Sequence, residues 1–333
     1  MYVVTGYPLA VALCVVTMLC WGSWANTQKA TGRWRFELFY WDYVFGVMLM
    51  SVVFAFTLGS FGAAGQGFLS NLRQAGGGNL GSAILAGVVF NAANILLVAT
   101  IDSLGMAVAF PVGIGIALLV GVLENYVAKP NDYNPIALFG GVALIVLAII
   151  LDALAYRRLS SGQTKGVSTR GLALCVACGL LMGSFYWLVA RTMSKETHVI
   201  EPGKLTPYCA VFLFCVGVLA SNLIFNTLMM KKPLSGPPLS WADYGRGSAR
   251  QHVMGLLGGG IWCVGMTMNI IAGGTAGFAI SYGLGQGATM IAAAWGVFVW
   301  REFRAAPRGT NIILAAMFVF FLVGLTFVIA AKS

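Results

Sequence analysis

Apolar residues follow one another along this chain in stretches long enough to cross a lipid bilayer. A spanning helix needs about 20 apolar residues, because it must cross roughly 30 Å of hydrocarbon at about 1.5 Å per residue. Stretches of this length alternate here with short segments that carry charge, glycine or proline. They predict ten transmembrane helices, at 8–26, 38–58, 80–100, 103–123, 136–156, 170–190, 207–229, 251–272, 275–299 and 310–330. The pattern is that of an all-α membrane protein.

The two halves of the chain resemble each other. The stretch 105–115 (GMAVAFPVGIG) in span 4 parallels 277–287 (GFAISYGLGQG) in span 9, at a constant separation of 172 residues. Span 1 and span 6 each carry a Gly-Ser pair followed by aromatic residues. Because five spans is an odd number, a second copy enters the membrane from the opposite side. We therefore predict two inverted five-helix repeats, 1–158 and 170–333, joined by a basic cytoplasmic linker at 159–169.

Composition supports the bilayer as the solvent of this chain. Hydrophobic residues make up 59% of the sequence and charged residues 9%, whereas soluble domains carry roughly 25% charged residues. The net charge is +10, but the basic residues lie in short loops between apolar spans rather than along one soluble face. A membrane orientation signal explains them better than nucleic-acid binding does, and no nucleic-acid partner is expected.

The basic residues also predict the orientation. Loops that follow odd-numbered spans hold 14 of the lysines and arginines, while the opposite side holds 6. Cytoplasmic loops of membrane proteins carry an excess of Lys and Arg. We expect a multi-pass protein of the cell (inner) membrane with both termini outside the cytoplasm.

Polar and aromatic side chains inside the spans are the candidates for substrate contact, because a polar group facing hydrocarbon is costly and normally turns inward. Asn91 and Asn94 are three residues apart, which predicts that both lie on one face of span 3. Amides both donate and accept hydrogen bonds, and aromatic rings can stack on a heterocycle or a sugar. The alternative is that each residue only bonds a neighbouring helix or anchors at the interface. The predicted substrate-binding residues are Trp21, Trp24, Asn26, Asn91, Asn94, Tyr186, Trp187, Trp262, Asn269, Tyr282, Gln286 and Thr289.

Few carboxylates lie within the spans. Asp42 begins span 2 and Asp152 lies late in span 5. A buried carboxylate can carry a coupling proton, so Asp42 and then Asp152 are the proton-coupling candidates. A structural ion pair or a helix-end charge is the alternative for both. Glu124 and Glu302 end spans 4 and 9, and most of these carboxylates are expected at the interface.

Enzyme signatures are absent from the sequence. The chain contains no G-x-x-x-x-G-K-[ST], G-x-S-x-G or H-E-x-x-H pattern, and no cluster of residues with metal-ligand spacing. The sequence thus predicts neither an enzyme nor a bound metal or cofactor.

A family resemblance runs nearly from end to end. It is carried by Met1-Tyr2-Val3-Val4, Gly22-Ser23-Trp24, Asp42-Tyr43, Gly87-Val88-Val89, Asn94, Gly105, Trp295-Gly296-Val297, Glu302 and Arg304. In order and spacing these features resemble the ureide permease family and its bacterial glucose/ribose-porter-like relatives, within the drug/metabolite transporter superfamily. The resemblance assigns Asn94 and Asp42 to the site by direct match. Plant members have a long central loop with a nucleotide-binding-like motif; the loop here is short and lacks it, so ATP dependence is not implied.

The resemblance implies a ten-helix carrier that works as a proton-coupled symporter. We therefore expect a secondary active transporter, working by alternating access, that takes up a small neutral polar metabolite such as a nucleobase, a ureide or a nucleoside. A monosaccharide transporter of ribose or glucose type is the first alternative, and a drug/metabolite exporter or a membrane-embedded enzyme is the second. The expected partners are the substrate, protons and the lipid bilayer.

Overall fold

The computed structural model describes residues 1–62, 64–159, 168–194, 199–233 and 235–332, with the side chains of 102, 106, 107 and 110 excepted. Most of the predicted linker, at 160–167, lies outside the described residues. The described residues form helices and loops and contain no β-strand. The helices are α1 (Tyr7–Ser23), α2 (Ala25–Lys29), α3 (Phe36–Phe56), α4 (Phe68–Gln74), α5 (Gly77–Leu104), α6 (Met106–Ala109), α7 (Gly115–Ala128), α8 (Pro135–Leu159), α9 (Thr169–Ala190), α10 (Pro207–Lys231), α11 (Trp241–Gly245), α12 (Ala249–Ala276), α13 (Phe278–Gly285), α14 (Ala288–Ala294) and α15 (Thr310–Ile329).

Nine segments of the described chain are long and apolar enough to cross a membrane. The stretch predicted as the ninth span is not one of them, because it is divided into α13, α14 and a π-helical turn at Trp295–Val299. The chain turns between α13 and α14 at Gln286 and Gly287. The all-α membrane class is confirmed, but this predicted helix is broken rather than continuous.

The fourth predicted span is also irregular. It begins with the short helix α6, continues through a π-helical turn at Phe110–Ile114 and becomes regular in α7. Pro111 lies in the π-helical turn. Because proline has no backbone N–H, it removes one helical hydrogen bond and favours such a local distortion.

Several helices begin at a side-chain cap. The hydroxyls of Ser168, Thr206 and Ser248 accept hydrogen bonds from backbone N–H groups in the first turns of α9, α10 and α12. These caps satisfy N–H groups that have no partner within the helix. The polar residues that separate the apolar stretches thus also determine where the helices start.

Glycines allow the closest helix crossings. A Cβ atom on Gly46 of α3 would lie 2.1 Å from the carbonyl oxygen of Leu256 on α12, and one on Gly217 of α10 would lie 2.0 Å from that of Ile84 on α5. Small residues let backbones approach in this way when lipid supplies no hydrophobic force between helices. The other main packed pairs are α8 with α15, α5 with α9, α1 with α12, α7 with α9, α3 with α10, and α1 with α14.

The bundle has two ends, which we name by what they carry. At the terminal end the two chain termini meet loops of the first half; Asn134 N–H donates to the Ala331 carbonyl at 2.8 Å, and the Met1 amino group donates to the Ala64 carbonyl at 2.8 Å. The linker end carries Leu159 and Thr169, the first and last residues of the predicted linker, together with α2 and α11. The helices α7, α9 and α12 end at the terminal end.

Candidate functional site

A cavity of about 170 Å³ opens at the terminal end, where α7, α9 and α13 approach one another. Trp187, which the sequence predicted as a substrate contact, lines it. The other described residues that line this cavity are Asn125, Ala128, Lys129, Tyr133, Ala190, Arg191, Met193, Ser194, Glu201, Lys204 and Phe278.

The rim of the cavity is rich in cations. Arg191 places its guanidinium carbon 4.9 Å from the centre of the Trp187 ring, and Lys204 donates to the Arg191 carbonyl at 2.7 Å. Lys129 and Glu201 also line the cavity. A cation over an aromatic face is attracted by the ring quadrupole. Arg191 therefore helps to hold the Trp187 indole in place. The rim as a whole presents a net positive charge to an entering molecule.

Phe278 forms the floor of the cavity. It follows Gly277, whose φ of 90° lies in the left-handed region that favours glycine. The Phe278 ring packs onto Gly273, where an added Cβ would lie 2.4 Å from the ring. Its ring also contacts the Tyr186 ring, with the two ring centres 6.2 Å apart in an edge-to-face arrangement. Phe278 thus lines the cavity and contacts the buried Tyr186 ring.

Beneath Phe278 lies a polar group made by Tyr186, Asn269 and Ser281, all fully buried. The Ser281 hydroxyl donates to the Asn269 backbone carbonyl at 2.6 Å, and the Asn269 amide nitrogen donates to the Ser281 carbonyl at 2.9 Å. The Tyr186 hydroxyl donates to Ser281 Oγ at 3.3 Å. The carboxamide oxygen Oδ1 of Asn269 is buried and has no hydrogen-bond partner among the described residues.

Tyr282 lies beside this group and ties the two halves together. Its ring occupies the space left by Gly121, where an added Cβ would lie 2.2 Å from it. Its hydroxyl donates to the carbonyls of Met182 at 3.1 Å and Ala117 at 3.2 Å. In this structure Tyr282 therefore bonds backbone of α7 and α9.

Asn91 and Asn94 lie on one helical face, as predicted, and share one partner, the hydroxyl of Tyr40. That hydroxyl donates to Asn91 Oδ1 at 2.8 Å and accepts from Asn94 Nδ2 at 2.9 Å. Asn91 Nδ2 also donates to Ser221 Oγ at 2.9 Å. The tyrosine occupies the place between the amides where the sequence predicted a ligand.

The predicted tryptophans contact other rings near the centre of the bundle. Trp21 and Trp262 stack with their ring centres 5.9 Å apart, and Trp21 Nε1 donates to the Trp262 carbonyl at 3.2 Å. Trp262 also contacts Phe90, at 4.6 Å between ring centres. Trp24 packs on Tyr43, at 4.8 Å. Aromatic side chains thus fill much of the central space.

The remaining predicted polar residues lie apart from the cavity. Asn26 accepts a hydrogen bond from Trp300 Nε1 at 2.7 Å, near the linker end. Thr289 donates to the Gln286 carbonyl at 2.8 Å, a local bond at the break between α13 and α14. The Gln286 side chain is half-buried at this break. The structure therefore does not bring the twelve predicted residues together around one space.

Both proton-coupling candidates lie toward the linker end. Asp42 is buried and accepts from the Tyr244 hydroxyl at 2.5 Å, and its other oxygen lies 2.9 Å from His252 Nδ1. Burial and the hydrogen bond to the Asp42 carboxylate raise the pKa of Tyr244, so the phenol stays protonated and donates. Asp152 has one buried oxygen with no hydrogen-bond partner among the described residues, and it lies near Glu302.

Three residues outside the predicted substrate-binding set also have unusual environments. Asn222 on α10 is fully buried, and neither of its amide atoms has a partner among the described residues. Ser281 holds the Asn269 backbone, as described above. Glu124 accepts from the Ser184 hydroxyl at 2.8 Å, while its second oxygen is buried without a partner in the described chain. Their polar type was visible in the sequence, but their contacts with distant helices were not.

Comparisons with known proteins agree with this architecture. Residues 157–331 match the profile of the family described as "Ureide permease". The chain is 22% identical to ureide permease 1 of Arabidopsis thaliana and 21% identical to ureide permease 2 of the same plant, over all of this chain and 99% of each relative. A crystal structure of another protein shares the fold, with a TM-score of 0.64 at 14% identity, over 96% of this chain and 95% of that chain.

The apolar helices and the matches along the whole chain define a multi-pass membrane permease, a transporter rather than an enzyme. The matched profile covers more than half of the residues. The chain belongs to the ureide permease family.

Proposed function

We propose that the protein is a secondary active transporter that takes up a small neutral nitrogen heterocycle of ureide, nucleobase or nucleoside type, by alternating access and with proton coupling. The names of its relatives, ureide permeases 1 and 2, support this substrate class. The remaining support comes from the buried polar groups, the cavity and the arrangement of the helices.

One observation carries the proposal: the carboxamide oxygen of Asn269 is buried and has no hydrogen-bond partner in the described part of the chain. A buried acceptor without a partner costs about 1–3 kcal/mol, so an apolar residue would be favoured there if packing were its only role. Ureides and nucleobases carry several amide-like N–H groups that could donate to this oxygen. The hydroxyls of Tyr186 and Ser281 lie beside it and could bond the carbonyls of the same molecule.

The cavity suits a small, uncharged molecule. Its volume of about 170 Å³ lies below the roughly 300 Å³ typical of the smallest pockets for drug-sized ligands. The cations Lys129, Arg191 and Lys204 repel cationic solutes, which argues against an exporter of cationic drugs. A neutral heterocycle would stack on Trp187 and reach Asn269 when Phe278 moves aside.

The packing of the helices supports the inverted repeat that alternating access requires. The contact of Gly46 with the Leu256 carbonyl has its counterpart in the contact of Gly217 with the Ile84 carbonyl. The two glycines are 171 residues apart in the chain, and the two residues that supply the carbonyls are 172 apart. Both separations match that of the sequence repeat to within one residue. We infer a ten-span bundle in which the broken segment from α13 to Val299 is the ninth span.

We infer that this conformation opens outward. The excess of lysine and arginine on the loops of the linker end supports a cytoplasmic location for that end, with the cavity and both termini on the outer side. Side-chain bonds of α2, α3 and α11 close the cytoplasmic end. Asp42 and Asp152 lie there, which suits a role in passing the coupling proton to the cytoplasm.

Uptake into proteoliposomes tests the proposal. Purified protein is expected to take up radiolabelled allantoin, uracil or a nucleoside faster when the outside is acidic than when both sides have the same pH. Ribose serves as the arm for the monosaccharide alternative. Replacing Asn269 by Ala should lower uptake of the heterocycle by more than about tenfold, the effect of losing about 1.4 kcal/mol of transition-state binding.

The matched control is Thr267→Val, two residues away on α12. Thr267 is fully buried, and its hydroxyl donates to the Cys263 carbonyl within its own helix. Transport by this variant should stay near the wild-type rate. Binding of a test compound without flux would argue against a carrier, and N269A transport equal to that of T267V would remove Asn269 from the site.

A further inference from the structure

Glu124 on α7 is a half-buried residue, and its carboxylate has no role in the transport cycle proposed above. Its Oε1 atom accepts from the Ser184 hydroxyl of α9 at 2.8 Å. Its Oε2 atom is buried and has no hydrogen-bond partner in the described chain. Among the ion pairs of the described residues, none includes Glu124. A carboxylate in this environment has an oxygen available to hold a proton.

The pair formed by Glu124 and Ser184 lies close to the cavity. Asn125, the next residue of α7, and Trp187, one helical turn beyond Ser184 on α9, both line the cavity. The pair therefore lies on the side of the bundle where the cavity opens and where the substrate would enter.

Three helices from both halves meet around this carboxylate. On α9, Gly183 packs against α7, where an added Cβ would lie 3.0 Å from the Ala117 carbonyl oxygen. From α13, the titratable group that faces Glu124 is Tyr282, and its hydroxyl is bonded to backbone carbonyls. The cations Lys129 and Arg191 lie further out, at the cavity. The charge state of Glu124 would thus be felt at the contact between the two halves.

The equivalent place in the other half shows that this crossing does not need a carboxylate. Gly22 of α1 packs against Ala288 and Ile291 of α14, as Gly183 packs against Ala117 and Val120 of α7. The serine that follows the glycine is bonded in both cases, but Ser23 accepts from the Trp295 indole at 2.8 Å. The serine is thus bonded to an indole, that of Trp295, in one half of the chain and to a titratable carboxylate, that of Glu124, in the other.

We propose that Glu124, positioned by Ser184, is the proton-binding residue that couples uptake to the proton gradient, an inference that rests on the proposed function. A proton from the outer solution binds Oε2 and yields a neutral carboxylic acid, which still accepts from Ser184 through Oε1. After the bundle reorients, the proton leaves to the cytoplasm and the carboxylate is restored. One proton thus moves inward in each cycle.

Exchange and accumulation by Glu124→Gln in proteoliposomes test the inference. Exchange of labelled for unlabelled substrate needs no net proton movement, so it should stay within about twofold of wild type. A gradient of one pH unit supports about tenfold accumulation by a one-proton symporter, and E124Q should show none, with an inside-to-outside ratio near one. A pH-sensitive dye should also show substrate-dependent proton entry for wild type but not for E124Q.

Two further variants make the result decisive. Glu124→Asp keeps a carboxylate and should retain accumulation, so an equal loss in E124D and E124Q would overturn the inference in favour of a packing role. Trp295→Phe removes the equivalent bond to Ser23 and should retain coupled accumulation. Accumulation by E124Q at the wild-type level, or loss of exchange together with accumulation, would also overturn it. If wild-type protein neither exchanges nor accumulates any test compound, the proposed function itself fails.

Discussion

The terminal end and the linker end of the bundle repeat the same backbone packing but differ in the side chains that complete it. At the terminal end, Gly183 lets α9 approach α7, and the adjacent Ser184 bonds Glu124. At the linker end, Gly22 lets α1 approach α14, and the adjacent serine bonds Trp295. Small residues thus determine how closely the helices pack, and a single neighbouring side chain determines what chemistry the crossing offers.

The two ends also differ in how they are closed. A cavity opens at the terminal end. At the linker end, Lys29 pairs with Glu302 at 2.7 Å, and Asp42 is bonded to Tyr244 of α11 and His252 of α12. The helix packing is similar at the two ends, so it does not decide which end is open. The difference lies in the side-chain bonds at the linker end, which can break.

The largest effect is expected from breaking the packing that the two ends share. An added Cβ would lie 2.5 Å from Ile291 Cβ at Gly22, and 2.7 Å from Val120 Cβ at Gly183. Overpacking costs typically about 1–3 kcal/mol, and Gly22→Val and Gly183→Val should both fall near the upper limit. Thermal denaturation in detergent, followed by size-exclusion chromatography, measures the loss.

Gly115 provides the control for these two variants, because an added Cβ there would meet nothing within 4 Å. Gly115→Ala should keep the wild-type denaturation temperature. If G22V and G183V lower that temperature by clearly different amounts, the two crossings are not energetically equivalent and the comparison fails.

A smaller effect is expected from removing one bond of the linker-end closure. Tyr244→Phe leaves an oxygen of the buried Asp42 without its donor, and an unsatisfied buried acceptor costs about 1–3 kcal/mol. We expect a lower denaturation temperature and faster modification by a thiol reagent of a reporter cysteine placed in α11. Tyr126→Phe is the control, because the Tyr126 hydroxyl makes no hydrogen bond among the described residues. Equal behaviour of Y244F and Y126F would show that the Tyr244 bond does not help to close this end.

The smallest effect is expected from the ion pair of Lys29 and Glu302. The Lys29 side chain is 46% exposed and that of Glu302 29% exposed, and exposed ion pairs contribute roughly 0.2–1 kcal/mol. Lys29→Ala should therefore change stability less than Y244F does, and high salt should reduce the difference from wild type. A larger loss for K29A than for Y244F would reverse the order of the two contacts in closing the linker end.

Much of the fold follows from local sequence. Hydropathy located nine of the ten predicted spans, and the broken stretch of α13 and α14 carries Gly285 and Gly287, residues that weaken a helix. The three-residue spacing placed Asn91 and Asn94 on one face. Their partner Tyr40 was not predictable in this way, because it lies 51 residues before Asn91 in the chain.

The candidate site was predicted less well than the fold. Polar type and depth in a span selected the candidates, and of these Trp187 lines the cavity while Tyr186 and Asn269 lie below it. Glu124 was not among the candidates, since the residue ends an apolar stretch. In the folded chain Ser184, 60 residues later, bonds one oxygen of Glu124, and the other is buried without a partner among the described residues.

The bilayer as solvent, the helical class and the approximate ends of the helices follow from the amino-acid sequence, because the length and polarity of each stretch act locally. The helix crossings, the end that holds the cavity and the buried oxygens without a partner among the described residues became visible in the folded chain. Those features depend on contacts between residues far apart in the chain. Hydropathy tells how apolar a stretch of sequence is. It does not tell which side chain of another helix will pack against a given residue.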